Sequence, residues 1–174
     1  MEKTIKSGLT AKKLAILGLM LAFALILSYV EFLIPFSFGI PGVKLGLANA
    51  AVLLALYLLG WKSALLVSVL RILLSALLFG SVLSLAFSLA GGLLSFFVMA
   101  LLKYTKKFHP AAVSAAGGFS HNLGQLIAAA FLVQNLALVY YLPVLLFFGL
   151  LTGLMIGIIC QEILLRQKFM KTFK

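Results

Sequence analysis

The sequence predicts an all-α fold, a six-helix integral membrane bundle in which residues 1–174 form a single transmembrane domain. Three observations predict it. The chain is 64% hydrophobic and 10% charged, and its mean hydropathy of +1.25 lies far outside the soluble range. The apolar residues fall into six runs separated by short connections that carry Gly, Pro or Lys. The basic residues gather in alternate connections, as in a chain that crosses a bilayer repeatedly.

Leu14 to Ile34 is the first span. It follows the basic stretch Lys3 to Lys13 and is too long for a signal-peptide core, so it reads as uncleaved. Pro35-Phe36-Ser37-Phe38-Gly39-Ile40-Pro41-Gly42 then imposes turns. The second span is Leu45 to Gly60, closed by Gly60-Trp61-Lys62, and the third is Ser63 to Phe79, interrupted by Arg71. Gly80 permits a tight reversal into the fourth, Ser81 to Leu102. A basic connection, Lys103 to Pro110, leads to the fifth, Ala111 to Val133, and Gln134-Asn135 to the sixth, about Tyr140 to Leu165.

Basic residues resist translocation, so their distribution sets orientation. With the N-terminus inside, twelve of the fourteen Lys and Arg fall on the cytoplasmic side, Lys44 alone falls outside, and Arg71 lies within the membrane. The expectation is a multi-pass protein of the plasma membrane with both termini cytoplasmic. The net charge of +11 therefore reports topology and not nucleic-acid binding, since no basic stripe with interleaved aromatics occurs. Glu2, Glu31 and Glu162 are the only acids, too scattered for a carboxylate metal site or an acid/base pair. Two separated histidines and the single Cys160 give no metal-ligand spacing, no phosphate loop occurs, and no catalytic residue or cofactor is expected.

The fifth span holds the chemistry. Ser120-His121-Asn122-Leu123-Gly124-Gln125 places three costly polar side chains in an apolar run, with Gly117, Gly118 and Gly124 thinning the helix around them. Helical spacing puts His121, Asn122 and Gln125 on one broad face, as a ligand site or as an interhelical clamp. Arg71 cannot shed its charge and needs a partner, either Glu31 at the outer end of the first helix or a carboxylate or phosphate of a substrate. Lys44 opens the second helix, with Asn49 about a turn further in, and Pro35 to Gly42 could fold over both as a lid. Tyr140 and Tyr141 suit either an aromatic belt or the lining of a cavity mouth. Small residues mark helix contacts: Ala11, Ala15, Gly18 and Ala22 on the first helix, Gly149, Gly153 and Gly157 on the sixth, and Ser81, Ser84, Ser88, Gly91 and Ser95 on the fourth.

Three stretches, residues 40–49, Ser88-Leu89-Ala90-Gly91-Gly92-Leu93-Leu94-Ser95 and His121-Asn122-Leu123-Gly124-Gln125, resemble the bacterial Gx transporter family, also called component I of heptaprenyl diphosphate synthase. The resemblance covers about residues 12 to 165. That family is similar to the S components of energy-coupling factor transporters, which have six helices and cytoplasmic termini. The resemblance implies that Ala11-x3-Ala15, continued by Gly18 and Ala22, contacts a transmembrane coupling subunit, that two ATPase subunits supply energy, and that the loop after the first helix caps the substrate.

The leading expectation is a substrate-binding subunit without enzymatic activity. It would take up a small, anionic organic solute such as a vitamin or an isoprenoid or quinone precursor. Lys44, Asn49, Arg71, His121, Asn122 and Gln125 would grip it, with Glu31 and Tyr140 nearby. The alternative is a membrane accessory of a heptaprenyl diphosphate synthase, because such synthases hold diphosphate through Mg²⁺ and clustered aspartates and this chain has no Asp. A stand-alone proton-coupled carrier is the third reading, less attractive without an inverted repeat.

Overall fold

A computed structural model describes residues 11–33 and 46–172, and among them the chain is an all-α membrane bundle. Six α-helices form: α1 (Ala11–Leu33), α2 (Asn49–Leu59), α3 (Trp61–Phe79), α4 (Val82–Thr105), α5 (Pro110–Val133) and α6 (Leu142–Thr172). A 3-10 turn, Leu136–Tyr141, which the sequence reading had not separated from the sixth span, leads into α6. The segments Ala11–Leu33, Trp61–Phe79, Val82–Thr105 and Leu136–Arg166 are long and apolar enough to cross a membrane. α5 has 24 residues, the same as α4, but carries the polar patch at its centre.

Each boundary has a local cause. Gly60 takes φ +88° between α2 and α3, a conformation that a Cβ would strain. Ser81 caps α4 by accepting from Ser84 N at 3.2 Å. Pro110, whose missing N–H is an orphan position in any case, opens α5. The Ala111 N–H of that first turn, which has no partner within the helix, donates to Gln161 Oε1 on α6 at 3.4 Å.

Successive helices run antiparallel. α1 and α3 end at one face, where Tyr29 and Phe32 meet the ring of Phe79 at centroid distances of 5.6 and 5.5 Å. α2 and α4 end at the other, where Lys103 Nζ donates to Leu56 O and lies 5.0 Å from the centroid of the Tyr57 ring. A cation on the last carbonyls of a helix also answers its dipole.

The second helix departs from the expected Leu45 to Gly60. Described residues begin at Gly46, and the helix itself spans 11 residues, about 16 Å, half of what a bilayer core demands. Its N-terminus lies at mid-depth, because Asn49 donates to Ser95 in the centre of α4 and accepts from Arg71 in the centre of α3. Gly46, with φ +85°, makes the bend that starts it. α2 is thus a half-helix, and it is almost wholly enclosed: Asn49 to Leu56 are all buried.

The glycines of α5 and α6 pack backbone to backbone. A Cβ on Gly118 would overlap Gly149 O, one on Gly153 would lie 2.6 Å from Ser114 O, and one on Gly157 would lie 2.7 Å from Ala111 Cα. Gly124 sits in the same way on Ala90 and Gly91 of α4. The small residues of α4 and α6 are therefore internal contacts.

Gly18 on α1 faces open space, with nothing within 4 Å of its Cβ position. Gly153→Ala should accordingly lose about 1–3 kcal/mol by overpacking, whereas Gly18→Ala should be neutral or slightly stabilising. Reversible unfolding of the two variants in mixed micelles measures both, and equal stabilities would refute the backbone contact.

Candidate binding site

The site is built around Arg71, 1% exposed at the eleventh residue of α3. Its Nη2 donates to Asn49 Oδ1 at 3.1 Å, and Asn49 Nδ2 donates in turn to Ser95 Oγ at 3.2 Å. One amide thus uses both ends to join α3, α2 and α4. Glu31, which the sequence offered as the partner of Arg71, is its electrostatic neighbour. The Glu31 carboxylate also accepts from Leu47 N at 2.6 Å, which ties α1 to the turn before α2. A carboxylate there also meets the positive end of the half-helix.

His121 and Gln125 form the opposite wall, with their Nε2 atoms 2.7 Å apart and both side chains fully buried. Gly46 stands between this wall and Asn49: a Cβ there would lie 3.1 Å from Asn49 Nδ2 and 3.1 Å from His121 Cδ2. Gly91 lets α4 approach, since its Cβ would lie 2.6 Å from Gln125 Cγ and 3.2 Å from His121 Nδ1. Gly92 does the same for α3, against Ile72 Cδ1 at 2.6 Å and Arg71 Nη2 at 3.6 Å. Gly46, Gly91 and Gly92 thus let the polar groups of α2, α3 and α5 come together beside α4.

Of the residues read from the sequence, Asn49, Arg71, His121, Gln125 and Glu31 converge. Asn122 does not share their face. Its Nδ2 donates to Leu145 O at 2.7 Å, and Gly149 makes room for it, so it clamps α5 to α6. One residue on a helix turns the side chain by about 100°, enough to move Asn122 to the neighbouring helix. Tyr140 is 87% exposed on the 3-10 turn, in keeping with an interfacial belt. Lys44 and the proposed lid Pro35 to Gly42 lie outside the described residues. Ala11, Ala15, Gly18 and Ala22 form one exposed stripe on α1.

The sequence reading missed Gly46 and Gly92 as site residues and took Ser95 only for packing. Their signal was present: Gly46 precedes Asn49 by three residues, and Gly92 and Ser95 are one turn apart. Two apolar hollows of about 470 and 430 Å³ run along α5 past Ile127 and Phe131, and neither is lined by a residue of the cluster. Among the described residues no group of three His, Cys, Asp or Glu could hold a metal. The arrangement suits recognition of a polar group in a dry interior, where each hydrogen bond is strong.

A family model described as heptaprenyl diphosphate synthase component I matches residues 20–163. No curated protein and no solved structure matches.

Removing Asn49 strands a buried guanidinium. Asn49→Ala should cost about 1–3 kcal/mol as an unsatisfied charged donor, and Asn122→Ala about 0.6 kcal/mol as a single interhelical bond. Parallel unfolding titrations decide, and an Asn49→Ala loss no larger than that of Asn122→Ala would contradict the central place given to Arg71.

Proposed function

The chain belongs to the heptaprenyl diphosphate synthase component I family, and from that premise we propose that it is a non-catalytic membrane component that binds the polar end of a small organic solute and hands it to partner subunits. One observation carries the reading. Arg71, Asn49, His121 and Gln125, each 5% exposed or less, converge on the N-terminus of a half-helix at mid-depth. Buried charge in a membrane is expensive and is a functional-site signal by default, and half-helix N-termini favour anionic groups.

Uptake is one use of such a site. The solute would enter from outside, and the exposed small-residue stripe of α1 would face a coupling subunit served by two ATPases, as in the S components that the sequence resembles. The charge bias supports a plasma-membrane protein with both termini cytoplasmic. Transport becomes vectorial only if the two end states bind the solute differently, which partners able to hydrolyse ATP would enforce.

The family match favours a second reading, an accessory component of a synthase that makes heptaprenyl diphosphate. In that role the chain would anchor or serve a catalytic partner at the bilayer. Both readings keep this chain non-catalytic, on the absence of Asp and the scatter of its three acids.

His121→Leu should weaken solute binding at least tenfold while membrane insertion is retained, and unchanged affinity would reduce His121 to a helix clamp. Incubating the purified chain with isopentenyl and allylic diphosphates should give no turnover. Gain of uptake in cells that co-express the coupling and ATPase subunits supports the first reading, and gain of synthase activity with a soluble partner supports the second. Reporter fusions at both ends should be active only in the cytoplasm.

A further inference from the structure

We propose that the buried site takes one carboxylate group, placed at Arg71 and the N-terminus of α2, and rejects phosphate and diphosphate esters. The inference rests on the binding role proposed above and names the chemistry of the group bound.

Open donors mark where that group goes. Arg71 Nε has no hydrogen-bond partner among the described residues, and neither do the hydroxyls of Ser28, Ser68 and Ser88. All four residues are at most 3% exposed. Ser68 lies one turn before Arg71 on the same face of α3, and Ser88 one turn before Gly92, which abuts Arg71 Nη2 on α4. A buried polar atom without a partner costs about 1–3 kcal/mol, and an orphan guanidinium N–H with unpartnered hydroxyls a turn away marks a place for an acceptor. Asn49 accepts from Nη2, and Nε remains an open donor of the planar guanidinium that matches a carboxylate.

Charge decides between acids. The described cluster contains one cation, Arg71, and one acid, Glu31, and the α2 terminus adds roughly half a positive charge. Together these described groups leave a surplus of about half a positive charge. A carboxylate brings one negative charge, the least that an ionised acid can add, and comes closest to balance. A diphosphate brings two or three, and in a dry interior each uncompensated charge carries a penalty of several kcal/mol. Mg²⁺ would lift that penalty, but among the described residues no group of three His, Cys, Asp or Glu could hold it.

The test uses the full chain in nanodiscs and four probes with one shared apolar body: geranic acid, geraniol, geranyl monophosphate and geranyl diphosphate. Thermal stabilisation and equilibrium binding are read for each. Geranic acid should bind at least tenfold tighter than either phosphate ester and tighter than the alcohol. Arg71→Gln should abolish that preference, and Ser68→Ala, a milder change that leaves the ion intact, should weaken geranic acid several-fold with little effect on the alcohol. Tightest binding by the diphosphate overturns the carboxylate assignment and leaves the binding role standing. Equal binding of acid and alcohol, or a preference that survives Arg71→Gln, overturns the assignment alone. No binding by any probe overturns both.

Discussion

A guanidinium in the middle of a hydrocarbon slab cannot lose its proton, so everything around Arg71 is arranged to answer its charge. Its direct acceptor is an amide, Asn49, and an amide placed there has to come from a chain that reaches mid-depth. That requirement explains why α2 is short. A helix crossing the whole bilayer would carry Asn49 in its flank, where it would present only a side chain. A helix starting at Asn49 adds its dipole and the freedom of the Gly46 turn.

The half-helix is in turn held by charged residues of its neighbours. Glu31 of α1 binds the N–H of Leu47 just before the first turn, and Lys103 of α4 binds Leu56 O in the last. Each charge has the sign that the adjacent helix end favours. Short helices are marginal by propensity alone, so α2 depends on these end contacts and on its enclosure by the other helices. The same contacts fix the depth of Asn49 and hence the geometry of the site.

Much of this was legible in the sequence. Apolar runs of bilayer length separated by Gly, Pro and Lys locate the helices to within a few residues, and the cost of polar groups in lipid singles out Arg71, His121 and Gln125. What periodicity does not encode is depth. A run from Leu45 to Gly60 reads the same whether the helix begins at the interface or halfway in, and only the positive φ of Gly46 and the bonds of Asn49 distinguish them. Neighbours on a helix share a broad face by counting, yet Asn122 turns to α6 because Gly149 leaves it room beside Leu145 O. The pairing of Glu31 with Arg71 looked natural from charge alone. The structure keeps Glu31 as the electrostatic neighbour of Arg71 and adds a bond from Leu47 N to its carboxylate, which depends on the turn before α2 and not on charge.

The two sides of the site differ in how they resist change. α4, α5 and α6 touch through Gly91, Gly124, Gly118 and Gly153, where backbones meet and no side chain can give way. Sliding these helices would drive carbonyls into Cα atoms, and close-packed interfaces switch between discrete arrangements or not at all. The start of α2 is tied to α1 and α3 by polar bonds, Glu31 to Leu47 N and Arg71 to Asn49, each worth about 1–3 kcal/mol, while the rest of the helix is held in the apolar core. Those bonds are also the ones that an incoming anion would exchange for its own. On the binding role proposed above, a solute reaching Arg71 would meet least resistance by displacing the start of α2 against the close-packed α4 and α5, and binding would then be joined to movement of the element beside α1 and its exposed stripe of small residues.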